Sequence, residues 1–154
     1  MPGYDRASAQ SVIAEIGQDM NQFPTDAHLC SWARVCPGNN ESAGKRRSGA
    51  TGQCNRWLET TLVQVAWAAS RKKKSYFQAQ YRRLSGRRGK KRAIVAVAYS
   101  ILTDTDHILK EGLPYHELGA DYFDRLHHDQ IRRYHVKRLQ ALGYTVALAE
   151  QQVA

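Results

Sequence analysis

The chain has 154 residues, enough for one domain with a real core and too few for two full-sized enzyme domains. Its 23 Lys and Arg against 14 Asp and Glu give a formal charge of +9, which points to a polyanionic partner. No apolar run approaches the roughly 18 residues of a membrane-spanning helix, so a membrane protein of that kind is excluded.

The opening Met1–Asp5 carries no basic stretch followed by an apolar one, so no secretory signal is expected and a cytoplasmic location is. Val12, Ile13 and Ile16 suit a short helix over residues 7–16, with Gly17 as its stop. Thr25 can cap a second helix carrying Ala27, Leu29 and Trp32, with Pro37 as its limit. Residues 1–36 are therefore expected to form a helical hairpin. Cys30, Cys36 and Cys54 make an odd count without a C-x-x-C pair, which fits reduced thiols. Adding His28 to them gives a spacing that matches no zinc-ligand pattern, so no metal site is expected in this chain.

Residues 37–54 are rich in Gly, Asn and Ser and read as an exposed basic loop that holds Ser42, Lys45, Arg46 and Arg47. Amides freed by Gly38 and Gly44, with the three cations, suit a phosphodiester whose charge grows under attack. Ser42 is the candidate nucleophile, although a bare hydroxyl needs a base or metal to activate it, and a plain phosphate grip is the alternative. A nucleotide-binding P-loop does not fit: one residue too many lies between Gly38 and Gly44, and Arg46 stands where Ser or Thr is needed.

Residues 55–154 read as a helical nucleic-acid-handling region. Leu58, Leu62, Val65, Ala66 and Ala69 form one apolar stripe; Ser75 can cap a helix that runs through Leu84. The strongest amphipathic segment spans Ile94 to Leu109 and ends at Gly112 and Pro114, and a last long helix is expected from about Asp121 to Leu142, stopped by Gly143. Tyr144–Leu148 suits a short strand or an extended tail. Alternating strand patterns are otherwise nearly absent, so the predicted class is all-α.

The charge is unevenly placed. Fifteen of the 23 cations fall between Lys45 and Arg92, and Glu59 is the only acid between Ser42 and Thr103. Arg56, the cluster Arg71, Lys72, Lys73 and Lys74, the pair Arg82 and Arg83, and the cluster Arg87, Arg88, Lys90, Lys91 and Arg92 are candidate nucleic-acid contacts. Tyr76, Phe77 and Tyr81, interleaved with them, are expected to pack inward rather than stack on bases. Asp104 and Asp106 fall at the edges of the apolar stripe, where solvated or salt-bridged side chains explain them without a metal. His127, His128 and His135 lie among Arg125, Arg132 and Arg133 and read as surface or nucleic-acid contacts.

Several segments together resemble the C-terminal transposase domain of the DEDD-type, bridge-RNA-guided serine transposases of insertion sequences. These are Val12–Gly17 followed by Phe23, Ser31–Ala33, the Pro37–Lys45 run with its Glu-Ser-Ala-Gly-Lys, Asn55–Leu58, Arg87–Ala93 and Leu118–Phe123. The opening Pro-Gly and helix resemble a helix-hairpin-helix. The resemblance implies DNA cleavage and rejoining through Ser42, Mg2+ held by carboxylates of a RuvC-like domain in cis, a structured guide RNA and a homo-oligomeric assembly. It also implies that the RuvC-like half lies outside this chain, so the isolated chain is expected to cut nothing. Arg34 and Cys54 stand where the family usually has glycine, and Thr103–Asp106 where its helix is more apolar; a replaced glycine would strain a backbone needing positive φ. The alternatives are a non-catalytic nucleic-acid-binding remnant of such a transposase and a structural RNA-binding module.

Overall fold

A computed structural model describes residues 1–36, 41–46 and 55–149, and for Glu41, Ser42 and Arg46 the backbone alone. The chain is mainly helical and divides into two compact units, Met1–Ala120 and Asp121–Ala154.

The first unit begins with α1 (Arg6–Ile16). A capping box starts it: the Asp5 carboxylate accepts from the Ser8 amide at 2.7 Å, and Ser8 Oγ accepts from the Asp5 amide at 3.0 Å. Gly17, at φ 77°, ends it. A 3-10 turn (Met20–Gln22) leads to α2 (Asp26–Trp32), capped by Thr25. The helix–turn–helix order expected of residues 1–36 is present, but the two helices do not lie against each other: α1 packs on a later helix, α3 (Arg56–Arg71), and α2 on another, α5 (Lys90–Glu111). The apolar face of each is taken by a longer neighbour. α2 also stops at Trp32, ahead of Pro37, because the chain turns at Arg34 with φ 56°. That positive φ falls at one of the two positions where glycine was expected; Cys54 lies outside the described residues. A side chain there costs about 1–2 kcal/mol. Arg34→Gly should therefore raise the unfolding free energy by up to about 1 kcal/mol, after the added chain entropy of glycine, in a denaturant titration.

Three helices form the centre. α3 (Arg56–Arg71) is capped by Asn55, α4 (Tyr76–Arg88) by Ser75, and α5 (Lys90–Glu111) ends at Gly112 in the left-handed conformation. α5 packs against α2, α3 and α4, and the core is Leu29, Leu58, Leu62, Val65, Phe77, Val97, Ile101 and Leu102, with Val12 and Ile16 of α1. α4 continues about one turn past the expected Leu84 boundary, to Arg88; Gly86 sits inside it on the exposed side. The aromatics pack as expected. Phe77 is fully buried and stacks on Tyr115 at 5.9 Å, and Tyr81 meets Trp67 at 5.6 Å.

Polar side chains where an apolar helix was expected are explained by their partners. Thr105 is buried, donates to the Ile101 carbonyl at 2.7 Å and meets the Tyr4 hydroxyl at 3.2 Å. Asp106 is not at a solvated edge: it is 1% exposed and paired with Lys110 at 2.9 Å, and Lys110 also donates to the Phe23 carbonyl at 3.3 Å. Asp104 is half-buried, and desolvation pushes its carboxyl up to about 6, with His107 opposing and Glu117 reinforcing the rise.

The opening residues are built into this unit. Pro2 is buried, and Gly3, at φ 91°, lies so close to α3 that an added Cβ would stand 2.3 Å from the Val65 carbonyl oxygen and 2.9 Å from Ala69 Cβ. Only glycine fits there.

In the second unit the long helix expected from Asp121 to Leu142 is two: α6 (Tyr122–Leu126) and α7 (His128–Ala141), separated at His127 with φ −117°. Neither buries a residue, and Tyr144–Leu148 forms no strand. Asp129 holds Arg132 at 2.9 Å and His128 at 3.7 Å.

Candidate nucleic-acid interface

The segment read as an irregular basic loop contains a small hairpin. Strand β1 (Glu41–Ser42) pairs antiparallel with β2 (Lys45–Arg46), Ser42 opposite Lys45 and Glu41 opposite Arg46. Ala43 and Gly44 have φ of 51° and 72°, the double positive φ that a type I′ two-residue turn requires. Two-residue strands are too short to show an alternating pattern, which is why the sequence conceals them. Lys45 is exposed, and among the described residues no helix packs against the hairpin. Arg47 lies outside the described residues.

The remaining candidate cations belong to helices α3, α4 and α5 and their junctions. Arg56 opens α3 and is exposed. Arg71 closes it and lies over the Trp67 ring, 6.0 Å from its centroid, as a cation–π contact. Lys72, Lys73 and Lys74 form the exposed turn into α4, Lys74 at φ 57°. Arg82 and Arg83 are exposed along α4; Arg87, Arg88, Lys90, Lys91 and Arg92 surround the turn into α5. The two clusters therefore lie at opposite ends of a 13-residue helix about 20 Å long. Among the described residues, Lys72–Lys74, Arg82, Arg87, Arg88 and Lys90–Arg92 have no ion-pair partner.

The turn between α4 and α5 is the most unusual electrostatically. Gly89, at φ 84°, is at once the last cap of α4 and the first cap of α5, so one residue separates the helices. A helix N-terminus is already positive, through its unbonded amides and its aligned peptide dipoles. In α5 that end has no acid in its first turn and no side-chain cap, and its first three residues are Lys90, Lys91 and Arg92. This arrangement opposes helix stability by about 0.3–1 kcal/mol per cation. It is the arrangement that concentrates positive potential for an anion.

Sequence reasoning missed one exposed feature of this surface. Trp57, one residue before Leu58 and off the apolar stripe, is 78% exposed. The signal was present: in the stripe Leu58, Leu62, Val65, Ala66, Ala69 no position calls for it.

Cys30 is a buried free thiol, pushed up to about 12 chiefly by burial, and Cys36 is raised by the same cause. His28 Nδ1 is 2.8 Å from Thr25 Oγ1. Among the described residues no three His, Cys, Asp or Glu side chains are grouped to hold a metal ion. His128 and His135 are exposed, and the His135 ring meets Tyr134 at 5.4 Å. No helix of the described residues is long and apolar enough to cross a membrane.

Compared with known proteins, residues 1–82 match the sequence model of the transposase IS116/IS110/IS902 family. No curated protein and no solved structure matches the chain.

Proposed function

The chain belongs to the transposase IS116/IS110/IS902 family, and from that premise we propose that it is the DNA-binding C-terminal domain of an insertion-sequence transposase, with Ser42 as its strand-attacking nucleophile. The observation that carries the binding half is the uncapped, cation-bearing start of α5 beside Arg87 and Arg88. Helix stability disfavours such a cluster, whereas a phosphate backbone needs it. With about six phosphates contacted on a duplex, log Kd against log salt should have a slope of magnitude near 5 for the purified chain. A slope near zero would remove the reading.

The nucleophile half draws on family membership and on local backbone. Ser42 stands one residue before a tight turn, opposite an exposed lysine. In the reaction proposed, Ser42 Oγ bonds to a backbone phosphorus as the bond from that phosphorus to one flanking deoxyribose oxygen breaks. Lys45, Arg46 and Arg47 would offset the charge of the pentacovalent phosphate. The serine proton needs an acceptor and the leaving oxygen a donor, and we assign both to a RuvC-like domain in cis. Carboxylates of that domain would hold Mg2+; the described residues of this chain do not fit such an ion, and no step here runs through it. A structured RNA would select the DNAs, and the assembly would be homo-oligomeric.

Joined to a RuvC-like partner domain, the chain should form a covalent protein–DNA adduct that Ser42→Ala abolishes while leaving DNA affinity within roughly 0.5 kcal/mol. An adduct retained in Ser42→Ala, or mapped by peptide sequencing to Ser48, would leave the second reading, a non-catalytic nucleic-acid-binding protein whose hairpin only grips phosphate. That second reading is favoured by the absence of any helix packed on the hairpin among the described residues.

A further inference from the structure

Of the three tryptophans, two are accounted for by packing. Trp32 meets Phe23 at 5.5 Å, and Trp67 is partly buried between Tyr81 and the Arg71 guanidinium. Trp57 is different: it has the greatest exposure of the large apolar side chains among the described residues, and no ring contact among them. Its backbone, however, is held firmly. The Trp57 amide donates to the Asn55 carboxamide oxygen at 3.0 Å, and the Asn55 side-chain nitrogen donates in turn to Glu15 of α1. The start of α3 is thus tied to α1 by a two-bond chain, and the indole projects from a fixed point beside the exposed Arg56.

We propose that Trp57 is a stacking platform for an unpaired base of a nucleic acid. The inference rests on the nucleic-acid reading above and extends it from charge to the form of the ligand. An indole face left in water by a chain of net charge +9 suits a partner that offers both phosphate and a flat apolar surface. A base is such a surface, and it can be reached only where it is not sandwiched in a duplex, because within the stack both of its faces are taken. Arg56 alongside supplies a cation for the flanking phosphate. A second copy seated on Trp57 would set further positive charge against Arg56, so the homo-oligomeric contact proposed above is assigned to another surface.

The test is a titration of the full chain with single-stranded dT and U oligonucleotides and with a blunt duplex, followed by tryptophan fluorescence and by competition. Single strands should quench the fluorescence, and the quench should vanish in Trp57→Phe. Trp57→Ala should weaken single-strand binding about tenfold and leave duplex binding within twofold, while Trp57→Phe keeps most of the single-strand affinity. The dT and U arms separate a DNA strand from an RNA as the source of the base. Equal losses on duplex and single strand, or none on either, would overturn the proposal. So would a smaller sedimentation coefficient for Trp57→Ala, which would mark a protein interface. If the parent chain binds neither ligand, the nucleic-acid reading itself fails, an outcome visible before any variant is made.

Discussion

Replacing Lys90 and Lys91 by Glu should weaken nucleic-acid binding on the order of 100-fold near physiological salt and, at the same time, make the protein more stable. The first effect follows from losing two phosphate contacts and gaining two repulsions, since each charged hydrogen bond contributes about 1.5–3 kcal/mol and each contact releases a counterion. The salt slope should fall by about two along with the affinity. The second effect follows from the position of these residues in the first turn of α5, which has no acid and no side-chain cap. Acids there complement the helix dipole and should add about 0.3–1 kcal/mol per site. Arg87 and Arg88 supply the control. They lie in the last turn of α4, where positive charge suits the helix. Their reversal to Glu should reduce binding and stability together. Thermal melts beside salt-dependent binding isotherms for the two double variants read both quantities. If Lys90→Glu/Lys91→Glu destabilises the fold, the dipole argument for the start of α5 fails; if it binds as tightly as the parent, that start is not the site of phosphate contact.

The second large effect concerns a residue far from any phosphate. Gly3→Ala should lower the unfolding free energy by about 2–5 kcal/mol. Two terms add: a side chain at φ 91° costs about 1–2 kcal/mol, and forcing a methyl group into packed structure costs typically 1–3 kcal/mol. The obstruction is the Val65 carbonyl oxygen, a backbone atom of α3 that cannot swing aside, and Ala69 blocks the other direction. A denaturant titration gives the value directly. A loss below about 1 kcal/mol would mean that Met1–Tyr4 do not pack on α3. A compensating test is Ala69→Gly in the Gly3→Ala background, which removes one of the obstructing groups and should not restore stability, because the carbonyl contact remains and a mid-helix glycine costs about 1 kcal/mol.

Much of the helical framework could be read from local chemistry. Asp5 went unnoticed as a cap, but Thr25 and Ser75 announce the helices they cap, and Gly17 and Gly112 the ones they stop. Ile94 to Leu109 gave the central helix because its period is long and uninterrupted. What failed was whatever depends on tertiary context. One helix was expected from about Asp121 to Leu142, but the chain breaks at His127, and no glycine or proline marks that break. Asp106 has the salt bridge that was one of its two expected fates, to Lys110, but it is buried and not at the edge its helical angle suggests. The expected helix pair of residues 1–36 is divided between two partners, a matter of which apolar face is larger. The candidate site divides in the same way. Its cations could be listed from the sequence, since their clustering without acids is a local property, and Ser42 was marked by its basic loop and given its role by resemblance. The turn geometry at Ala43 and Gly44 and the shared cap at Gly89 are three-dimensional facts, whereas the exposure of Trp57 was signalled by its place off the apolar stripe.

The single-residue junction at Gly89 has a consequence for how the chain acquires its structure. α4 and α5 are neighbours in sequence, so their docking involves a short loop and should belong to the earliest events of folding. That docking also forces Arg87, Arg88, Lys90, Lys91 and Arg92 into one small volume. In the newly made polypeptide, the charge proposed to contact a polyanion therefore resists the closure that brings it together. Added salt relieves this resistance by screening, within a Debye length of about 8 Å at 0.15 M, and should at the same time weaken the proposed polyanion contact. A polyanion present during synthesis removes the conflict, since it neutralises the cluster by occupying it. The ligand would then act as a scaffold for its own binding site, hastening the collapse of the hairpin as well as stabilising the finished domain.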